Sequence, residues 1–140
     1  MATIKQALEK ASSLQKISDT WQLDSELLLA SAIEKSREYL FTWPERELAD
    51  TQLRAFQEFC ERRSAGEPIA YILGRQSFWD FELKVNPSVL IPRPETELLV
   101  ETALELLEDA YPGTANILDL GTGSGAIALA LAANNDAWQV

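Results

Sequence analysis

Asp119-Leu120-Gly121-Thr122-Gly123-Ser124-Gly125 holds the residue types in this chain best suited to cradling a ligand. An acid is followed by glycines at alternate positions. The apolar pair Ile117-Leu118 precedes the motif and an apolar helical run, Ala126 to Ala133, follows it. That order predicts a strand, a loop and a helix, the context in which a glycine motif has functional meaning. Alternating glycines remove every Cβ on one side of a turn and let the backbone come close to a bound molecule. Asp119 closes its strand at the carboxyl end, where open α/β sheets bind ligands. A dinucleotide fingerprint needs G-x-G-x-x-G, so that a pyrophosphate meets the helix N-terminus. Position 126 is Ala, which breaks that pattern and argues against a nicotinamide-dependent oxidoreductase. The alternative to a ligand loop is a glycine-rich turn that only shapes the helix entry.

The elements that position this motif divide by pattern. The first 65 residues read as helices. Ile4, Ala7, Leu8, Ala11 and Leu14 recur at helical spacing, and Trp21 to Ile33 marks a second helix with Asp24 or Ser25 close to its start. Tyr39-Leu40-Phe41 is a short apolar piece stopped by Trp43-Pro44. A further helix begins at Asp50 or Thr51 and ends at Gly66 and Pro68. From Phe78 to Val85 the residues alternate, with Trp79, Phe81, Leu83 and Val85 on one face. This predicts a half-buried strand, then a turn at Asn86-Pro87-Ser88 and a partner strand at Val89-Leu90-Ile91. Pro92-Arg93-Pro94 leads into a helix with Glu95 and Glu97 in its first turn, near the positive end of the dipole. Leu98, Leu99, Ala103, Leu106 and Leu107 form its expected apolar face, and Pro112-Gly113 its end. The expected organisation is therefore a helical domain over 1–65, a β-hairpin linker over 66–93 and the start of an α/β domain over 94–140. A parallel sheet needs several strands with both faces covered. One strand and the opening of another at Ala137 to Val140 fall short of that, so a longer parent protein is expected.

Composition narrows the chemistry. With no His and one cysteine, Cys60, there is no zinc site, no internal disulfide and no activated thiol nucleophile. No stretch approaches the apolar length of a membrane span, and no apolar signal core opens the chain. These features point to the cytoplasm. The formal net charge is −10. Residues 1–66 hold 9 Lys and Arg against 11 Asp and Glu, and residues 67–140 hold 3 against 11. A surface that tracks phosphates wants the opposite sign, so direct nucleic-acid binding is not expected.

Three further stretches carry a family resemblance. They are Gly66-Glu67-Pro68-Ile69-Ala70-Tyr71-Ile72-Leu73-Gly74, then Leu90-Ile91-Pro92-Arg93-Pro94-Glu95-Thr96-Glu97, then the glycine motif with its following helix. The acid-x-G-x-G-x-G spacing resembles the first motif of S-adenosylmethionine-dependent methyltransferases with a Rossmann-like fold. In this order the stretches resemble the HemK-type protein-(glutamine N5) methyltransferases that modify peptide chain release factors. The resemblance spans the chain and is strongest from Gly66 onward. It implies an α/β fold in three parts: an N-terminal helical bundle that helps grip the substrate, a β-hairpin linker, and the start of a Rossmann-like class I methyltransferase domain. It implies methyl transfer from S-adenosylmethionine to the glutamine amide of a release factor's Gly-Gly-Gln motif. It also implies that Asp119, Gly121, Thr122, Gly123, Ser124 and Gly125 form the cofactor loop. A sulfonium and an amino-acid tail suit close backbone approach and a nearby carboxylate better than a phosphate site would. The family's Asn-Pro-Pro-Tyr motif is not among residues 1–140, so no catalytic residue is assigned. Two readings of Arg93 stay open: a guanidinium at the active-site mouth, or a brace against Glu95 or Glu97. A release-factor-binding module without chemistry and a nucleic-acid adenine N6-methyltransferase are the competing functions.

Overall fold

The computed structural model describes residues 2–111 and 113–140. They form two compact units, one ending at Leu73 and one beginning at Gly74. The first is all helical. Helix α1 (Ile4–Lys10) opens under a reciprocal cap in which Thr3 accepts from the Gln6 amide and Gln6 accepts from the Thr3 amide. It runs into a 3₁₀ turn, Ala11–Lys16, which places Ala11 and Leu14 in the core. Helix α2 spans Trp21–Ala32, α3 Arg37–Thr42, α4 Asp50–Ser64 and α5 Ile69–Leu73. Ile4, Leu14, Leu28, Leu29, Leu40 and Phe56 form the centre of one apolar cluster. Burying such side chains is the main favourable term in holding helices together.

Helix α2 begins at Trp21, earlier than Asp24 or Ser25. Those two have the residue types of N-caps, but both are buried and their side chains are used elsewhere. Asp24 pairs with Arg63 of α4 at 2.8 Å, and Ser25 donates to the Gln22 carbonyl. Helix α4 starts and stops as expected: Gly66, at φ +92°, takes the left-handed conformation that ends it. Beyond it α5 packs on α2 and α4. These residues fall in the expected linker, because five residues between Pro68 and Gly74 show too little periodicity to announce a helix.

In the second unit, β1 (Arg75–Phe78) and β2 (Phe81–Lys84) pair antiparallel, with Phe78 opposite Phe81. The hairpin turn is Trp79-Asp80, not Asn86-Pro87-Ser88, and Val89-Leu90-Ile91 is not a strand. The turn puts Phe78 on the same face as Phe81 and Leu83, whereas one continuous strand would set Phe78 opposite them; the apolar residues at 79, 81, 83 and 85 alternate straight through the turn and hide it. Trp79 sits at φ +54°, a conformation unusual for a bulky side chain. Its amide donates to the Glu97 carboxylate at 2.9 Å. Glu97 lies in the first turn of α6 (Glu95–Ala110). Val100 is the residue of this helix that is fully buried, and Leu98, Leu99 and Leu106 are exposed, which corrects the expected apolar face. The helix is apolar over more than one side, so its spacing did not single out the buried one. The stop expected at Pro112-Gly113 includes Pro112, which lies outside the described residues. Helix α7 spans Ala126–Asn134. On either side of it, Asn116 and Gln139 form one parallel bridge, with Ile117 N donating to Gln139 O and Gln139 N to Ala115 O. The strand expected at Ile117-Leu118 is thus one bridge wide. Among the described residues the architecture is mostly helical with a small two-stranded antiparallel sheet, within an α/β description.

Candidate functional site

The motif residues Asp119 to Gly125 lie together between the Asn116 bridge and α7. The loop is held by its own short bonds. Thr122 Oγ1 donates to the Asp119 carbonyl at 2.8 Å, and Gly125 N donates to the Thr122 carbonyl at 2.8 Å. Gly121, Gly123 and Gly125 have φ of +79°, +56° and +80°. Side chains with a Cβ rarely adopt that region, so the backbone itself demands glycine at each position. Gly125 is also the N-cap of α7, and its carbonyl accepts from Leu129 N at 2.9 Å.

The space around the loop is open. A Cβ on Gly121 would meet nothing within 4 Å, and one on Gly123 only the Gly121 carbonyl, at 3.8 Å. The loop is therefore not glycine-rich because something packs on it. Its need for glycine is conformational, and a side chain added at Gly121 or Gly123 projects into free space that a ligand could fill, whereas one at Gly125 would meet Leu129. Asp119 contributes the one charge. Its Oδ2 is buried and has no hydrogen-bond partner among the described residues. An unpaired buried acceptor costs free energy until a donor reaches it. Thr122 keeps its hydroxyl on the loop, and Ser124 is half-buried beside Gly125. Chemically the arrangement can accept hydrogen bonds at a carboxylate and offer bare backbone for close contact. Among the described residues no group of His, Cys, Asp and Glu is arranged to hold a metal.

Arg93 makes no ion pair among the described residues. Its carbonyl caps α6 by accepting from Thr96 N at 3.0 Å, while Glu97 serves Trp79 instead. The link between Glu97 and the hairpin turn went unread in the sequence, since nothing in the spacing of positions 79 and 97 announces it. Cys60 is half-buried on α4, and burial, with a smaller push from Glu61, raises its thiol to about 11. A thiol held protonated in this way is a packing residue.

A helical front unit is thus followed by a hairpin and a glycine loop at the head of a helix. Residues 6–74 match the family model described as the PrmC N-terminal domain. It is 55% identical over 82% of its length to a release factor glutamine methyltransferase of Aliivibrio fischeri, covering 39% of that protein. It is 54% identical over 85% of its length to one from Pseudomonas aeruginosa, covering 42% of it. A third, from Coxiella burnetii, matches over 100% of the chain at 48% identity, and the chain covers 50% of it. The chain thus spans half or less of the length of these relatives.

Proposed function

We propose that this chain is the docking and cofactor-cradling part of an S-adenosylmethionine-dependent enzyme that methylates the glutamine side chain of peptide chain release factors. The relatives' names support the reaction and substrate. The observation that carries the cofactor reading is the orphaned Asp119 Oδ2 beside three left-handed glycines. S-adenosylmethionine brings a methyl group on a sulfonium, activated for transfer to a weak nucleophile. Its ammonium and hydroxyl groups are donors of the kind Asp119 lacks, and its bulk fits against backbone without Cβ atoms. In this reading Gly121, Gly123 and Gly125 give close approach, and Asp119 accepts from the ligand. Thr122 and Ser124 hold the loop and its entry to α7, as the start of a Rossmann-like domain. An amide nitrogen has a delocalised lone pair, so its reaction depends on positioning more than on a base. The residues that position it are assigned no place within 1–140.

The competing reading is a binding module without chemistry. An exposed aromatic groove on the helical unit favours docking in either case. The test uses a protein of the relatives' length that carries these residues, with labelled S-adenosylmethionine and a purified release factor. Label should enter the glutamine of Gly-Gly-Gln, and Gly123→Val should abolish it while a pull-down of the factor persists. Pull-down without any methyl incorporation by the unaltered protein would leave the binding module as the function. Loss of both activities with a lowered melting temperature would make the glycines structural only.

A further inference from the structure

Helix α3 ends in an aromatic platform that the cofactor loop does not explain. Tyr39, Thr42, Trp43, Pro44, Glu45 and Arg46 line an open groove of about 740 Å³. Trp43 is 56% exposed, and Phe41, just before the groove, is 62% exposed. Exposed aromatics on a fixed backbone are what interfaces use as anchors. The backbone here is fixed: Ile4 N donates to Arg46 O, Lys5 N to Pro44 O, and Leu48 N to Ala2 O, at 2.9 to 3.0 Å. Arg46 is positioned without being neutralised. It donates to the Tyr39 hydroxyl and lies 5.6 Å from the centre of that ring, with the Lys35 ammonium 5.9 Å from it. Among the described residues neither cation forms an ion pair, whereas Arg37, Arg62 and Arg63 of the same unit all do. In a chain of net charge −10, the groove thus sets an arginine without an ion pair beside an exposed indole, with Lys35 against the Tyr39 ring at its edge.

We propose that this groove is a docking site for the protein substrate, and that it takes a segment pairing an acidic side chain with an apolar or aromatic one. The inference rests on the proposed function for the identity of that protein, a release factor. The acid meets Arg46 and Lys35, and the apolar residue covers Trp43. A macromolecular substrate is held by surface remote from the reacting amide, and that binding energy serves the reaction only if the remote site is preorganised. Glu45 lines the same groove and opposes an incoming acid. Removing its charge therefore strengthens binding, a sign that a general loss of fit cannot produce.

The experiment titrates a purified release factor into the chain and into Trp43→Ala, Arg46→Ala and Glu45→Gln, at low and at raised ionic strength, with a thermal melt of each variant. Trp43→Ala and Arg46→Ala should each weaken binding about tenfold or more, the scale of aromatic and arginine anchors. Glu45→Gln should tighten it, and salt should weaken the unaltered chain more than Arg46→Ala. Should Arg46→Ala lower the melting temperature, exposed Trp43 and Glu45 decide. Binding unchanged in Trp43→Ala and Glu45→Gln overturns the groove as the site while leaving the substrate reading intact. No binding by the unaltered chain overturns both. Self-association abolished by Trp43→Ala, with release-factor binding unaffected, would assign the groove to a second copy instead and contradict the proposal.

Discussion

At residue scale the chain separates residues that must be what they are from residues that merely fit. Gly123 belongs to the first kind. Its φ of +56° resists a branched side chain whatever the space around it. The requirement was legible in the alternation of the glycines, although their left-handed geometry was not. Asp24 shows the opposite case. By type it is a helix cap, yet it is 5% exposed and bound to Arg63, 39 residues away in sequence. A pairing of that range leaves no local signal. Asp24→Ala should cost about 3 kcal/mol, because it strands Arg63 in a partly buried site. Urea denaturation checks it, and a change under about 0.5 kcal/mol would show that the pair contributes nothing beyond solvated ions. Cys60 gives a pH dependence of defined sign. Its thiol is raised from 9.0 to about 11. Below the lower value both folded and unfolded states keep the proton, and stability is unaffected. Between the two the unfolded chain loses its proton first, so stability falls as pH rises through that window. Cys60→Ser should flatten the fall. An identical alkaline slope in the variant would assign it to other groups.

At the scale of elements, helices with a clear buried face were read well and short elements were not. Helix α4 was found at both ends, because Gly66 and Pro68 stop it in ways that act locally. The hairpin was misregistered because Trp79-Asp80 lacks the asparagine and glycine that usually mark such turns. What holds Trp79 in its turn is Glu97, through a charge-assisted bond to the amide. Glu97→Ala should speed hydrogen exchange at the Trp79 amide by roughly tenfold or more, the loss of a bond worth about 1.5–3 kcal/mol. Trp79→Gly in the same background should recover stability, since glycine accepts positive φ without strain. Unchanged exchange in Glu97→Ala would mean that the strands alone hold the turn.

For the molecule as a whole, two compact units imply two separable stabilities. Helix α5 belongs with the first, packed on α2 and α4, and Arg62 reaches it through bonds to the Tyr71 and Ile72 carbonyls. A fragment of residues 1–73 should therefore melt cooperatively by circular dichroism, and one of residues 1–65 at a lower temperature. Equal melting of the two would make α5 dispensable. In the second unit Leu98, Leu99, Leu106, Leu118 and Leu120 are exposed. Among the described residues no helix is long and apolar enough to cross a membrane.

The proposed cradle for S-adenosylmethionine, Asp119 to Gly125, can be tested on the chain itself. Titration of S-adenosylmethionine into the ¹⁵N-labelled chain, followed by amide chemical shifts, reads binding residue by residue even when it is weak. The account predicts saturable shifts centred on residues 119–126, lost in Gly123→Val and reduced in Asp119→Asn. Shifts that centre elsewhere, or that persist unchanged in both variants, would contradict it.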